Sequence, residues 1–153
     1  MMNTSLKVTI ASRELLQKFI ESHTLEQLNK IPEGFKNNII WNIGHVVVTQ
    51  QLLAYKLSGL AMMVTDEMVS KYQKGSAPQG NVTQEEVEAI KSLLFNTITK
   101  TEEDFNNGLF QNYMEYTVST ANFTLKNIED AMQFNNFHEG IHIGIIMQLR
   151  KFV

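Results

Sequence analysis

Three of the four histidines lie in strongly apolar segments of the chain, and their spacing is its main chemical signal. His138 and His142 are four residues apart in the run FNNFHEGIHIGIIMQLRKFV, so on a helix both project from one side. Neutral imidazole is the commonest protein ligand for a transition metal, whereas an imidazole without a partner is costly to bury. With His45 from another apolar segment as a third ligand, the pattern favours a metal site.

A purely structural role for these histidines is the alternative. A single histidine on an apolar face is more often a packed side chain with a hydrogen-bond partner, and His45 alone fits that interpretation. The C-terminal pair has nearby candidate partners in Asn135, Asn136 and Gln148. The metal hypothesis requires all three rings to meet at one point, leaving one or more coordination positions open for water or substrate. His23 is assigned to the surface or to helix capping.

The run from His138 to His142 also has the H-E-x-x-H pattern of zinc metalloproteases. Those enzymes take a third ligand from downstream, but only eleven residues follow His142 and none is His, Asp or Glu. The third histidine of the extended motif would fall at Gln148. Because Glu139 is about 100° around a helix from His138, we expect a solvated or interface carboxylate there, with a supporting or general-base role as the alternative.

Length and composition are those of an ordinary globular domain. The 153 residues suit one domain over 1–153 with one core, and 43% hydrophobic and 19% charged residues exclude disordered and fibrous classes. The net charge is −3, and no run of Lys and Arg offers a surface for a phosphate backbone. We therefore expect no nucleic-acid partner.

The absence of cysteine limits the chemistry further. It excludes disulfides and thiolate-ligated zinc or iron–sulfur sites, so a metal must be held by His, carboxylates, amides or water. No signal peptide is apparent, and we expect a cytoplasmic protein. The most apolar window, IIWNIGHVVVTQQLLAYKL, is interrupted by polar residues. It indicates a buried helix and no membrane partner.

Four long amphipathic segments must position the histidines. Apolar periodicity and capping residues place helices at about residues 9–22, 39–57, 83–103 and 127 to the end. Asn38 can cap the second, Thr83 with Glu86 forms a capping box, and Asn127 opens the last. Residues 24–29 and 65–74 are expected to form short turns or helices, and 109–123 has partial strand character. The pattern predicts an all-α fold, an antiparallel four-helix bundle.

The histidine motifs and the segments before them resemble the DinB/YfiT-like superfamily. The runs NIGH (42–45) and HEGIHIG (138–144) are similar to its metal-binding motifs, and IPEGF (31–35) and NNIIW (37–41) match its usual approach to the first histidine. The resemblance covers essentially the whole chain in length and motif order. The residues IGI (143–145) stand where Arg-Gly-Gln or a similar run is common, so a polar group that would orient a thiol is missing there.

The resemblance implies a four-helix bundle in an up-down-down-up arrangement, often a homodimer. It also implies a divalent metal, nickel or zinc, held by His45, His138 and His142. Separately from the resemblance, Trp41, Asn42 and Gln148 are candidate neighbours of the site, with packing or capping as the alternative role of each. Related proteins include thiol S-transferases and a maleylpyruvate isomerase that use low-molecular-weight thiols such as bacillithiol, mycothiol or glutathione. The expected function is thus a metal-dependent small-molecule enzyme; a non-catalytic metal-binding or stress-response protein with a structural metal is the alternative.

Overall fold

The computed structural model describes residues 2–153, and this part of the chain is mostly helical. Its α-helices are α1 (Met2–Glu21), α2 (Leu25–Asn29), α3 (Ile39–Gln51), α4 (Asp66–Tyr72), α5 (Gln84–Asn106) and α6 (Ile128–Leu149). A π-helical segment (Leu52–Lys56) continues α3, and the strands β1 (Tyr116–Val118) and β2 (Phe123–Leu125) form an antiparallel hairpin. None of the helices within residues 2–153 has the length and hydropathy that crossing a bilayer requires.

Side-chain caps begin three of the long helices where the sequence predicts them. Asn38 accepts a hydrogen bond from the Trp41 amide, and Asn127 accepts one from the Asp130 amide. Thr83 and Glu86 form the expected reciprocal capping box. Each cap satisfies amides that the first helical turn leaves without a partner. The starts of α3, α5 and α6 are therefore set by local chemistry.

The first helix begins earlier than expected, at Met2 instead of near Thr9. Its additional turns bury polar residues, since Ser5 and Thr9 are both enclosed. The Thr9 hydroxyl lies 2.7 Å from the Asn136 amide oxygen, and the Asn136 amide donates to the Ser5 carbonyl. These contacts with α6 accompany the burial of Met2 and Leu6 in the core. The polar residues Ser5, Thr9 and Arg13 also face the interior, and they interrupt the apolar stripe from which the start of the helix was predicted.

The second long helix extends to the expected end but changes its winding on the way. Residues Leu52–Lys56 are π-helical, and Gly59, at φ +69°, lies just beyond in the left-handed region that glycine adopts freely. The segment 109–123, expected to be partly extended, contains β1 and the start of β2. The side chains of Val118 and Leu125 are buried and pack the hairpin against the helices.

Hydrogen bonds between the long helices show their relative directions. Helix α1 runs parallel to α6, because its later residues contact later residues of α6. It runs opposite to α5, while α3 runs parallel to α5 and opposite to α6. Thr9–Asn136 and Arg13–Glu139 join α1 to α6, and Arg13–Leu94 and Glu21–Lys91 join α1 to α5. Gln50–Thr101 and Tyr55–Asp104 join α3 and its π-helical continuation to α5. Asn42–His142 and His45–His138 join α3 to α6.

A fully buried ion pair joins α1 to α6. The guanidinium of Arg13 donates from Nε and Nη2 to Oε1 of Glu139, at 3.0 and 2.8 Å, and both side chains are 0% exposed. Asn135 donates to the same oxygen at 2.8 Å. The expectation for Glu139 was a solvated or interface carboxylate, and its solvated form was wrong, because the side chain is buried between α6 and α1. Its 100° offset from His138 directs it away from α3, but that direction leads to α1 and not to solvent.

Replacing Glu139 should destabilise the fold strongly. In Glu139→Gln the guanidinium of Arg13 stays buried without a counter-charge, and we expect a loss of about 3 kcal/mol or more in the free energy of unfolding. Urea denaturation monitored by circular dichroism measures it. The control is Glu21→Gln, which breaks the exposed ion pair with Lys91 and should change stability little. Equal effects of the two substitutions would contradict the structural role of the buried pair.

Candidate metal centre

The three imidazoles predicted from the sequence meet between α3 and α6. One ligand atom from each of His45, His138 and His142 lies within 4.8 Å of the others. The ring centroids are 4.5 to 5.0 Å apart. His45 and His138 are buried and His142 is half-buried. Because α3 and α6 run in opposite directions, the middle of one faces the i, i+4 pair of the other. His23 lies apart, with Nδ1 2.8 Å from the Phe19 carbonyl oxygen near the end of α1.

Two neighbours orient the His45 ring. Its Nδ1 is 2.6 Å from the backbone oxygen of Tyr72, the last residue of α4, and since a carbonyl only accepts, Nδ1 carries the proton. The Trp41 ring stacks on the imidazole at 4.9 Å between centroids and 10° between planes. The lone pair of His45 therefore resides on Nε2, which faces His138. A hydrogen bond of this kind on the outer nitrogen is typical of a metal-binding histidine.

The close approach of α4 to α3 depends on Gly44. A Cβ atom at this position would lie 2.6 Å from Cδ1 of Tyr72, inside any van der Waals contact. The glycine thus allows the Tyr72 ring to lie against the α3 backbone. This packing places the Tyr72 carbonyl on His45, so the NIGH run contributes both a ligand and the space for its orienting partner.

An asparagine orients His142 in the same way. The His142 Nδ1 lies 2.8 Å from Oδ1 of Asn42. The amide group of Asn42 donates to Oδ1 of Asn37 and to the Asn38 carbonyl, so its oxygen is the atom left for His142. Nδ1 of His142 is therefore the donor, and Nε2 keeps a lone pair.

The third ring, His138, carries the strongest local indication of a missing partner. Its Nε2 is 3.2 Å from Nε2 of His45, and its buried Nδ1 has no hydrogen-bond partner within residues 2–153. Two nitrogens that share a tetrahedral zinc ion at ~2.05 Å each lie about 3.3 Å apart. The observed separation is close to that value. The donor set of three imidazoles also suits nickel and zinc, so these residues fit a divalent metal.

The surroundings keep all three imidazoles neutral. Burial, together with repulsion from the other two rings and from Arg13, lowers the pKa of His138 to about 2. Burial and repulsion from His45 lower the pKa of His142 to about 3. Burial also lowers the pKa of His45 and outweighs the Tyr72 carbonyl, which raises it. Neutral imidazole is the form that coordinates a metal.

A cavity of about 510 Å³ opens beside the three rings and has all of them in its wall. The rest of the wall comes from α3, the π-helical segment, the residues just after α4, the β1 strand with the segments on either side of it, and α6. Leu52, Leu53 and Leu57 form part of its apolar surface. A metal held by the histidines would thus have room for a further ligand on the cavity side.

The other residues singled out from the sequence divide into two groups. Trp41 and Asn42 contact the histidines directly, as described above. Gln148 does not, since its side chain is exposed and accepts a hydrogen bond from Lys151. The contribution of Tyr72 was not predicted, because it is made by a backbone carbonyl and the residue type does not reveal it. Only Gly44, which allows the Tyr72 ring to pack against α3, could have indicated this contact.

Comparison with known proteins agrees with this geometry. A family model described as the DinB superfamily matches residues 9–146. This range contains the three histidines of the site, and it contains the four long helices except for the first turns of α1 and the last residues of α6. The chain has no significant match among curated proteins.

Protonation of the buried histidines should make the metal-free protein sensitive to acid. In the unfolded chain they titrate near pH 6.5, and in the folded chain far lower, so the unfolded state binds more protons between these values. Below about pH 6.5, each histidine that stays neutral in the folded chain should cost up to about 1.4 kcal/mol per pH unit. Urea denaturation from about pH 7.5 to about pH 5.5 measures this slope.

His138→Gln should reduce that slope, because one buried imidazole fewer takes up a proton on unfolding. If the free energy of unfolding of the metal-free protein does not fall as the pH is lowered over this interval, the three histidines are not held neutral.

Gly44→Ala should disturb the site through Tyr72. The added methyl group collides with the ring, so we expect a loss of about 1–3 kcal/mol in unfolding free energy and weaker metal binding as His45 loses its orienting carbonyl. The control is Gly144→Ala, where an added Cβ meets no atom within 4 Å and helix propensity predicts a gain of up to about 1 kcal/mol. Calorimetric metal titration and urea denaturation measure both; similar behaviour of the two variants would refute the steric role of Gly44.

Proposed function

This chain belongs to the DinB superfamily, and we propose that it holds one divalent metal ion, nickel or zinc, on His45, His138 and His142. The observation that carries the proposal is the approach of three neutral imidazoles from two helices, with their ligand atoms within 4.8 Å. The hydrogen bonds of His45 and His142 support it, because both place the proton on Nδ1 and the lone pair on Nε2. The buried, unpartnered Nδ1 of His138 is the one outer nitrogen without such support.

We further propose that the metal-bound protein is an enzyme acting on small molecules, similar to a thiol S-transferase. A divalent ion at this site would lower the pKa of a coordinated thiol or water. The protein itself would exclude bulk water, through the apolar wall of the cavity, and hold the second substrate beside the open coordination position. In the transfer, sulfur forms a bond to the electrophilic carbon, the leaving group departs with its electron pair, and the thiol proton passes to solvent.

The architecture and assembly expected for such a protein are part of the same proposal. The directions of α1, α3, α5 and α6 support a four-helix bundle in an up-down-down-up arrangement. We also propose a homodimer and a cytoplasmic location. Gel filtration with light scattering measures the oligomeric state.

Metal content of histidine variants tests the proposed site. After chelator treatment and reconstitution with Ni²⁺ or Zn²⁺, untagged protein should hold about one ion per chain. His142→Ala should lose stoichiometric metal, because two ligands remain, while His23→Ala should keep it. Elemental analysis gives the ratio. Full metal content in His142→Ala, or none in the unsubstituted protein, would overturn the metal assignment.

A chelator then separates catalysis from a structural role. If metal removal lowers the melting temperature greatly and no thiol reacts with any electrophile in a screen, the structural-metal alternative is correct. A small loss of melting temperature, with metal-dependent consumption of thiol, supports the enzyme.

A further inference from the structure

The wall of the cavity beside the histidines carries positive charge only. Lys56, at the end of the π-helical segment, and Lys74, just after α4, both line it. None of the Asp and Glu side chains of residues 2–153 is part of this wall. The chain as a whole has 16 acidic against 13 basic residues and a net charge of −3. The cavity thus has the opposite sign of charge from the rest of the protein.

Neither of these two lysines has a carboxylate partner in the described part of the chain, as is also true of surface lysines such as Lys7 and Lys18. Lys71, Lys91 and Lys100 each form an ion pair with a Glu or Asp. Lys74 instead donates to the neutral hydroxyl of Ser119, and the ammonium group of Lys56 has no side-chain partner in the described part of the chain. An uncompensated charge beside a wall of low dielectric attracts a counter-ion more strongly than one in open solvent.

Apolar side chains line the same cavity. They include Leu53, Leu57, Val118, Phe134 and Ile141. The hydroxyls of Ser119 and Thr120 lie on the same wall and add hydrogen-bond donors. The cavity therefore presents imidazoles, an apolar surface and two cationic groups to a single occupant, and its volume of about 510 Å³ is within the range of small-molecule sites.

We propose that this cavity binds a small amphiphilic oxyanion, whose carboxylate, sulfonate or phosphate group is held by Lys56 and Lys74. Its apolar body lies on the leucine and phenylalanine side chains. Its opposite end carries the group that coordinates the metal; this last contact rests on the proposed function, whereas the lysine contacts do not.

The lysine contacts are tested without metal. Chelator-treated protein is titrated by calorimetry with hexane-1-sulfonate, a weak metal ligand, and with neutral hexan-1-ol. We expect the sulfonate to bind about tenfold more tightly than the alcohol, and this preference to disappear in the double variant Lys56→Gln/Lys74→Gln. The matched control, Lys7→Gln/Lys18→Gln, removes the same charge from exposed positions of α1, outside the cavity wall, and should keep the preference.

A second titration includes the metal. Cobalt-substituted protein is titrated with 6-mercaptohexane-1-sulfonate and with 6-mercaptohexan-1-ol, and thiolate-to-cobalt absorption reports binding. The double variant should lose about tenfold in affinity for the sulfonate and little for the alcohol. If no thiol changes the cobalt spectrum while the metal-free preference holds, the proposed function fails and the oxyanion site stands. If metal-free protein binds neither probe, or the double variant keeps the preference, the oxyanion site is refuted.

Discussion

The buried ion pair between Arg13 and Glu139 fixes the position of α6, on which the site depends. Helix α6 lies between α1 and α3 and buries polar groups toward both. Sliding it by one turn, about 5.4 Å, would separate the two charges inside the protein and move His138 and His142 away from His45. Replacing a buried ion pair by apolar residues often leaves stability unchanged or raises it, whereas removing one partner is costly. We therefore infer that the pair serves to specify the register of α6.

On the side of α6 that faces α3, the histidines meet a different constraint. Three imidazoles are brought together with no carboxylate among them, so none can take up a proton at low cost, and burial lowers the pKa of each. Hydrogen bonds to the Tyr72 carbonyl and the Asn42 amide fix which nitrogen of two rings carries the proton. The result is that His45 and His142 each keep a lone pair on Nε2 beside the His138 ring, an arrangement that a cation would stabilise. Outer partners of this kind orient ligands in metal sites generally.

The sequence predicted the features that local chemistry determines. The caps of α3, α5 and α6 lie where Asn38, Thr83 and Asn127 indicate them, and the i, i+4 spacing of His138 and His142 places both on one side of α6. The convergence of His45 on that pair was correct, while metal coordination by the three stays a prediction. The features that failed depend on a neighbouring helix. The early start of α1 brings Met2 and Leu6 into the core and Ser5 and Thr9 against Asn136. The burial of Glu139 rests on Arg13, far away in sequence. The partners Asn136 and Arg13 are polar, so they do not belong to the apolar periodicity from which buried helix faces were predicted.

The position of Glu139 also limits the chemistry that the site can perform. The one carboxylate adjacent in sequence to a site histidine is bound by Arg13 and Asn135, and the acidic residues of 2–153 are absent from the cavity wall. A reaction that needs a carboxylate as general base is therefore not supported by these residues. A nucleophile whose own pKa is lowered by coordination needs no such base. The charge of the wall is compatible with such a nucleophile. The ammonium groups of Lys56 and Lys74 favour an anionic nucleophile or substrate and would disfavour a cationic one. The ion pair, the neutral histidines and the lysines are thus each compatible with the proposed chemistry, in which an anionic nucleophile would react beside a metal.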